Sequence, residues 1–541
     1  MMSRWGAIQW GVLTTGLVLG CGDGGAGTNE ASATSGGSTV DDSSSTSASG
    51  STPTTAGPGD MSSTTAGPSD GTSTAPTTTD STTDTGPTTD TGPTTDTGPM
   101  PIDCGGFTPG NDFNVCTASY LGGAGADAPG GVDIGPDNIV VVGGGFPGHD
   151  FGVSPIVIGE GDGAVLRLAP DGTQLLSVTR LASPVRDLDV GADGRIAAAG
   201  DFGVVLLAAD GSAALWTAAV PGARRVAVGS DGTVAVLHDK EIQVFDAAGA
   251  PLGTFAVSGT SINDLTVHGE SQSVLATGYR QSDQGACQQY KSTFIRSYGY
   301  DGAAKWTNYD WNGEQVDDTE DCADSQGKGL EIGRDGKLYY AGKSDGGNTV
   351  HRKQPTDLGK DAPNVATDPY DTPYGLKGAN AVGYFARFDP ATGAHEGGQF
   401  LVSRKANLGE DPAAAEANAA PPDYATAMAD GTMVIVGGSA YLIERHDEKS
   451  IDGVKLGSYT AYEPYVLIVS SDFKQRLAWT AFTATGPGNT AAIAVGDGGA
   501  AALFGQSGDN LAKGTLITVD ALQPAPGGGD GEAWLAVFPT P

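Results

Sequence analysis

Short apolar runs separated by Asp-Gly turns recur along the chain. The clearest stretch, Val185 to Gly222, reads as four of them: RDLDVG, RIAAAG, VVLLAADG and SAALWTAAV. The next stretch, Ala223 to Gly259, repeats the pattern as RRVAVG, TVAVLH, EIQVF and PLGTFAVSG, so two adjacent units have 38 and 37 residues. Asp-Gly adopts positive φ at little cost and matches strand twist, which makes it two-residue hairpin chemistry. Each unit is therefore expected to be a four-stranded antiparallel meander.

Longer copies share this frame. Their first strands are GVDIG at Gly131, DLTVHG at Asp264, GLEIG at Gly329, YATAMADG at Tyr424 and AAIAVG at Ala491, which with the two short copies makes seven. Strands that are apolar on both faces, in sheets too small to stand alone, require stacking of units around an axis. The expectation is an all-β, seven-bladed β-propeller of four-stranded antiparallel blades. The last copy ends after its third strand, EAWLAVF, while NVCTASYLGG from Asn114 to Gly123 matches the fourth-strand pattern LWTAAVPG ahead of the first copy. An N-terminal strand around Asn114 to Leu121 is thus expected to complete blade seven and remove an exposed edge.

The stretch SYLGGAGADAPGGVDIGPDNIVVVGGGFPGHDF, Ser119 to Phe151, resembles the bacterial SBBP-type β-propeller repeat in its aromatic-Leu-Gly-Gly start, acidic-ended first strand and Val-rich second strand. The resemblance covers most of the chain from Asn114 and implies a fold. It implies no reaction, because propellers host many functions and the family supplies no catalytic residues.

The N-terminal segment reads differently. Arg4 is followed by an apolar run from Trp5 to Leu19 that ends in Val18-Leu19-Gly20-Cys21. This is a secretory signal over 1–20, too short for a comfortable membrane span. Its end resembles a bacterial lipobox, which implies cleavage before Cys21 and diacylation of its sulfur; an ordinary signal peptide with a coincidental cysteine is the alternative. From Gly22 to Asp103 the chain is mostly Gly, Ser, Thr, Pro, Ala and Asp, with three copies of Thr-Thr-Asp-Thr-Gly-Pro over Thr82 to Pro99. Such a segment has no apolar surface to offset its ordering entropy, so 21–103 is expected to be a disordered linker and 104–541 the propeller.

The formal charge of the chain is −35, of which −25 falls from Cys104 onward. That sign repels phosphate backbones and excludes nucleic acid as a natural partner. With Cys21 assigned to lipidation and the chain exported, Cys104, Cys116, Cys287 and Cys322 are expected to form two disulfides. Proximity favours Cys104 with Cys116. Cys287 lies in the second-to-third-strand loop of blade four and Cys322 in the connection leaving that blade, so both belong on one face within bridging reach.

Blades two and three show the minimum length, so excess elsewhere is insertion. The insertions join second to third strands, or one blade to the next, and in a meander both kinds of connection emerge on one face. Long loops at one end of a rigid scaffold are where binding resides. Tyr370, Tyr374, Tyr459 and Tyr462 lie in the two largest insertions and are the candidate ligand contacts; packing of the loops onto the propeller is the competing role.

Other motifs have plainer readings. Gly342-Lys343-Ser344-Asp345-Gly346 fits GxSxG, but NTVHRKQPTD follows it instead of a helix, so a loop serine is expected despite nearby His351. Asp389-Pro390-Ala391-Thr392-Gly393 resembles part of the tryptophan-docking motif of quinoprotein dehydrogenase propellers and is also good turn chemistry. Asp317, Asp318, Glu320 and Asp321 offer oxygen ligands for calcium but lack the EF-hand spacing, so a solvated acidic loop is expected. The histidines at 149, 238, 268, 351, 395 and 446 fall in different blades or loops. Asp133, Asp189 and Glu331 share one first-strand position lining the central channel; a hydrated or hydrogen-bonded structural role is expected for them, with concentration of cations in the channel as the alternative.

The functional expectation is a cell-envelope lipoprotein, membrane-attached through its lipid at the outer membrane or cell surface. Its propeller is expected to be a binding or scaffolding module for a protein or glycan partner, with no catalytic residue and no cofactor. An extracytoplasmic hydrolase or lyase, and a purely structural envelope component, are the alternatives. An enzyme would show convergent buried His and carboxylate groups over the channel; a binding module would show a wide face with exposed aromatics.

Overall fold

The computed structural model describes residues 102, 104, 112–283, 285, 287, 289–367, 382–401, 421–438, 449–454, 464–483, 489–507, 516–529 and 531–541. They form seven antiparallel blades. The innermost strands are Ala128–Ile134, Val185–Val190, Ala223–Val228, Ser261–His268, Ser325–Ile332, Pro422–Ala427 and Asn489–Val495, one per blade in chain order. Among the described residues the helices are one α-helix of five residues, Gly313–Asp317, and a 3-10 turn, Val350–Arg352.

The ring closes as its sequence implies. Thr117–Tyr120 pairs antiparallel with Glu532–Pro539, Thr117 opposite Val537 and Tyr120 opposite Trp534, and becomes the outermost strand of blade seven.

Apolar residues of both parities are explained by the packing. Ile196 and Ala198 of blade two face blade one, whereas Ala197 and Ala199 face blade three. Seven apolar clusters result, one between each pair of neighbouring blades, including a blade seven to blade one cluster built from Phe504, Leu535 and Val537 against Val140, Val142 and Leu166. Each buried Val or Leu contributes about 1.5–3 kcal/mol relative to exposure, so the blade interfaces are the core.

At the rim a second device joins blades. Trp216, Phe255 and Trp306, on outermost strands, lie over the turn glycines of the following blade, Gly249, Gly302 and Gly393. A Cβ at these glycines would sit 2.7, 2.7 and 2.6 Å from the ring, and their φ angles of +85°, +87° and +74° are left-handed. Only glycine serves both needs. The Asp389–Gly393 segment is therefore a turn, as expected, and also a seat for Trp306, whose Nε1 donates to the Pro390 carbonyl at 3.3 Å.

The insertions do more than decorate one face. In blade one Ile156–Val157 returns to pair parallel with Leu175–Leu181, and in blade five Val365–Thr367 pairs parallel with His395–Leu401, so both blades gain a fifth strand on the outer edge. The blade six insertion bonds through the Lys449 N–H to the Trp479 carbonyl at 2.8 Å, and the blade seven insertion bridges Val519 to Ala118. Blades two and three, which lack insertions, leave Leu215 and Leu252 exposed on their outermost strands.

Both disulfides join the expected partners. Cys104 bonds Cys116 with Cα atoms 5.0 Å apart, and Cys287 bonds Cys322 at 5.5 Å.

Closure gives a direct expectation. A chain trimmed to begin at Gly122 lacks Thr117–Tyr120 and bares Glu532–Pro539; it aggregates or melts well below one beginning at Cys104. Equal melting temperatures and equal monomeric behaviour in sedimentation would contradict closure by this strand.

Candidate functional site

The innermost strands line a central cavity of about 430 Å³. Each strand carries a register shift near its start, at the homologous place in all seven blades: Pro129/Gly131, Val185/Asp187, Ala223/Arg225, Ile262/Asp264, Gly327/Gly329, Pro422/Tyr424 and Thr490/Ala492. A bulge re-aims the side chain that follows it. The residues after the shifts form one tier, in which Asp187, Asp264 and Tyr424 line the channel and Arg225 takes the same position in blade three. Two residues further on comes a second tier with Asp133, Asp189, Thr266, Glu331 and Thr426.

Neighbouring innermost strands belong to different sheets, so the edge facing the next blade has no ladder partner. Carboxylates supply one. Asp133 Oδ2 accepts the N–H of Val190 in the next blade at 2.7 Å, and Asp187 and Asp189 accept those of Val226 and Val228 at 2.8 and 2.6 Å. Asp264 accepts that of Leu330 at 2.9 Å. Asn263 adds a further link, donating through Nδ2 to the Gly327 carbonyl at 2.6 Å.

Two arginines balance part of the charge. Arg225 approaches Asp264 Oδ1 at 3.4 Å. Arg334, in the first hairpin of blade five, crosses the channel: its Nε donates to the Val495 carbonyl of blade seven at 2.8 Å and its Nη2 to the Ile134 carbonyl of blade one at 2.5 Å. Its backbone N–H bonds Ala427 of blade six at 2.9 Å. One residue thus ties four blades at the end where the first strands turn.

Burial governs the acidity of the cluster. It raises Asp187 to about 7 against the pull of Arg225, and Asp264 to about 6. Burial, followed by the charge of Asp133, lifts Asp189 well above the carboxylate range; burial and then the Asp189 charge do the same for Glu331. Crowded acids in a partly dry channel share protons instead of all ionising.

Asp133, Asp189 and Glu331 therefore meet as the alignment of first strands implies, and the first two hold the expected structural hydrogen bonds. Asp187, Arg225, Asp264 and Tyr424 occupy the neighbouring column of the same alignment and were legible there; Arg334, in a turn, carried no such signal.

The remaining motifs resolve to structure. Ser344 is buried and donates to the Gly346 carbonyl at 2.7 Å. His351 is fully buried, bonded to the Tyr340 hydroxyl at 3.1 Å and stacked on Tyr384 at 4.5 Å; burial alone lowers it to about 3. No serine–histidine pair forms between them. Of the calcium candidates, Asp321 is buried 4.0 Å from Lys353, so it is not part of a solvated loop, and the Glu320 main-chain carbonyl is bonded by Asn348. Asp317 lies beside Cys287 and Cys322, whose sulfurs are bonded to each other. Among described histidines, His238 contacts Glu241 and His268 contacts Ser271 in separate blades, whereas His395 and His351 share blade five and meet on Tyr384. Cys21, Tyr370, Tyr374, Tyr459, Tyr462 and His446 lie outside the described residues.

No protein-family model and no curated protein matches the chain. Among solved structures it is similar to hydrazine synthase of Kuenenia stuttgartiensis, at 8% identity and a TM-score of 0.42, covering 70% of this chain and 92% of that one. It is also similar to a chain in a mitotic checkpoint complex, at 11% identity and a TM-score of 0.39, covering 73% of this chain and 94% of that one. Neither likeness bears on activity.

The channel acids give stability a pH dependence with a definite sign. Folding raises the Asp187 pKa from 3.8 to about 7, so its contribution is full below pH 4 and lost as pH climbs to 7. Asp187→Asn keeps an oxygen for the Val226 N–H and removes this proton. Its unfolding free energy should gain on the wild type between pH 4 and 7, by at most about 1.4 kcal/mol per pH unit, and the gap should then stay constant. Parallel pH profiles for the two proteins would contradict the assignment.

Proposed function

We propose that this chain is a cell-envelope lipoprotein, anchored through Cys21, whose propeller is of the SBBP repeat type and acts as a binding or scaffolding module for a protein or glycan partner. One observation carries the reading. Four channel carboxylates, the groups an enzyme would need there, each accept a main-chain N–H of the next blade. They are committed to holding the ring; of the described histidines, His351 and His395 meet on Tyr384 within blade five, and His268 lines the cavity 3.9 Å from Glu270. The ring offers a rigid frame, and its length in excess of the minimal blade is placed in insertions, where Tyr370, Tyr374, Tyr459 and Tyr462 are the proposed contacts. Tyrosine combines a rigid apolar ring with a hydroxyl, which suits both sugars and protein anchors.

The hydrolase or lyase alternative draws on Asp187, held near neutrality beside Arg225 and Tyr424 in the cavity. Its Oδ2 is already bonded to Val226, which counts against a role in proton transfer.

The test uses envelope extracts with the full chain as bait. Wild-type protein should fractionate with membranes and retain a partner; Cys21→Ala should be released into the soluble fraction yet still retain it. Replacing the four tyrosines with Ala should abolish retention with little change in melting temperature. Membrane association by Cys21→Ala, or retention by the tyrosine variant together with lost stability, would contradict the reading.

A further inference from the structure

The seam where the ring closes contains a second acidic site, away from the channel. Asp127 lies in the connection between the closing strand Thr117–Tyr120 and blade one, and Glu532 begins the last strand of blade seven. Both are buried, at 1% and 2% exposure. Gly122 lies against both: a Cβ there would fall 1.8 Å from Asp127 Oδ2 and 2.9 Å from Glu532 Oε2.

The two carboxylates are not equivalently satisfied. Glu532 accepts the N–H groups of Gly527 at 3.0 Å and Gly528 at 2.6 Å. Asp127 Oδ1 accepts the Gly123 N–H at 3.2 Å, whereas Oδ2, buried beside Glu532, makes no hydrogen bond of good geometry, the Ala533 N–H being the other donor near this carboxylate. The backbone fixes Asp127 in this position: its N–H bonds the Gly531 carbonyl at 3.0 Å and its carbonyl accepts Gln506 Nε2 at 2.6 Å. Further oxygens lie alongside, since the carbonyls of Gly122 and Gly123 would be 2.6 and 2.4 Å from a Cβ at Gly527.

A buried carboxylate oxygen left without a donor is costly, and one beside a second carboxylate more so. Glycines at 122, 123 and 527 add no side chain of their own, the His149 imidazole stands at the Gly122 carbonyl and near Glu532, and exposed Ala124, Ala126 and Gly527 place the pocket just below the surface. Two carboxylates with two carbonyls are the donor set of a hard cation; calcium tolerates irregular oxygen cages completed by water, whereas magnesium demands a regular octahedron.

We propose that Asp127 and Glu532, with the carbonyls of Gly122 and Gly123, form a calcium site that pins the connector after the closing strand to the last strand of the chain. Its occupant locks the ring at the point where the two ends of the propeller meet.

The full chain, stripped with a chelator, is titrated with terbium, whose luminescence Tyr120 beside the site should sensitise, and melted with and without calcium at about 1 mM, the range of extracellular calcium modules. The wild type should bind one terbium that calcium displaces, and calcium should raise its melting temperature by roughly 2–4 °C, with magnesium giving less. Asp127→Asn and Glu532→Gln should lose both responses while keeping the wild-type circular dichroism spectrum; Asp317→Asn, on the acidic loop, should keep both. A wild type with neither luminescence nor a calcium shift, or an Asp127→Asn protein that responds like the wild type, overturns the proposal. The one-to-one stoichiometry is read on the wild type and decides the matter even where a variant does not fold.

Discussion

A propeller must end seven separate sheets on one narrow channel, and the edge of each innermost strand there faces a neighbour with which it shares no ladder. A buried N–H left unmet on such an edge costs about 1–3 kcal/mol. This chain answers with carboxylates that reach from one blade to the main chain of the next, from Asp133 to Val190, Asp187 to Val226, Asp189 to Val228 and Asp264 to Leu330. The solution has its own cost. Several acids crowd into a partly dry channel, and their raised pKa values record burial first and then, for Asp189 and Glu331, repulsion between the carboxylates, which Arg225 and Arg334 only partly offset.

That commitment shapes what the molecule can do. A carboxylate bonded to the neighbouring blade is a poor proton carrier, and Arg334 spans the channel to carbonyls of blades one and seven. The channel side chains thus hold the blades to one another. Variation is left to the insertions, two of which return as fifth strands on blades one and five and so stiffen the rim as well as extend it.

Much of this was legible in the chain because its causes are local. Alternation, Asp-Gly turns and the doubly apolar strands announce four-stranded blades, and the match between NVCTASYLGG and the fourth-strand pattern announces the closing strand. The Cys287–Cys322 pairing followed from which loops share a face, and Cys104–Cys116 from proximity in the chain. Contacts between blades were harder, since no periodicity within one strand reports the register of the next sheet. The seven bulges, the seating of Trp216, Phe255 and Trp306 on glycines of the following blade, and the parallel fifth strands all depend on that register. Arg334 is the extreme case: a turn arginine in sequence, bonded to a carbonyl 200 residues away. The Asp127–Glu532 pair joins opposite ends of the propeller and has no local signature at all.

Amide hydrogen exchange tests the central claim most directly. Peptides covering Val190, Val226, Val228 and Leu330 should exchange slowly in the wild type. Asp189→Ala should raise exchange sharply at Val228 while Val190 stays protected, and Asp189→Asn, which retains an acceptor, should restore most of the protection. Equal exchange at Val228 in all three proteins would show that the carboxylates do not hold the ring.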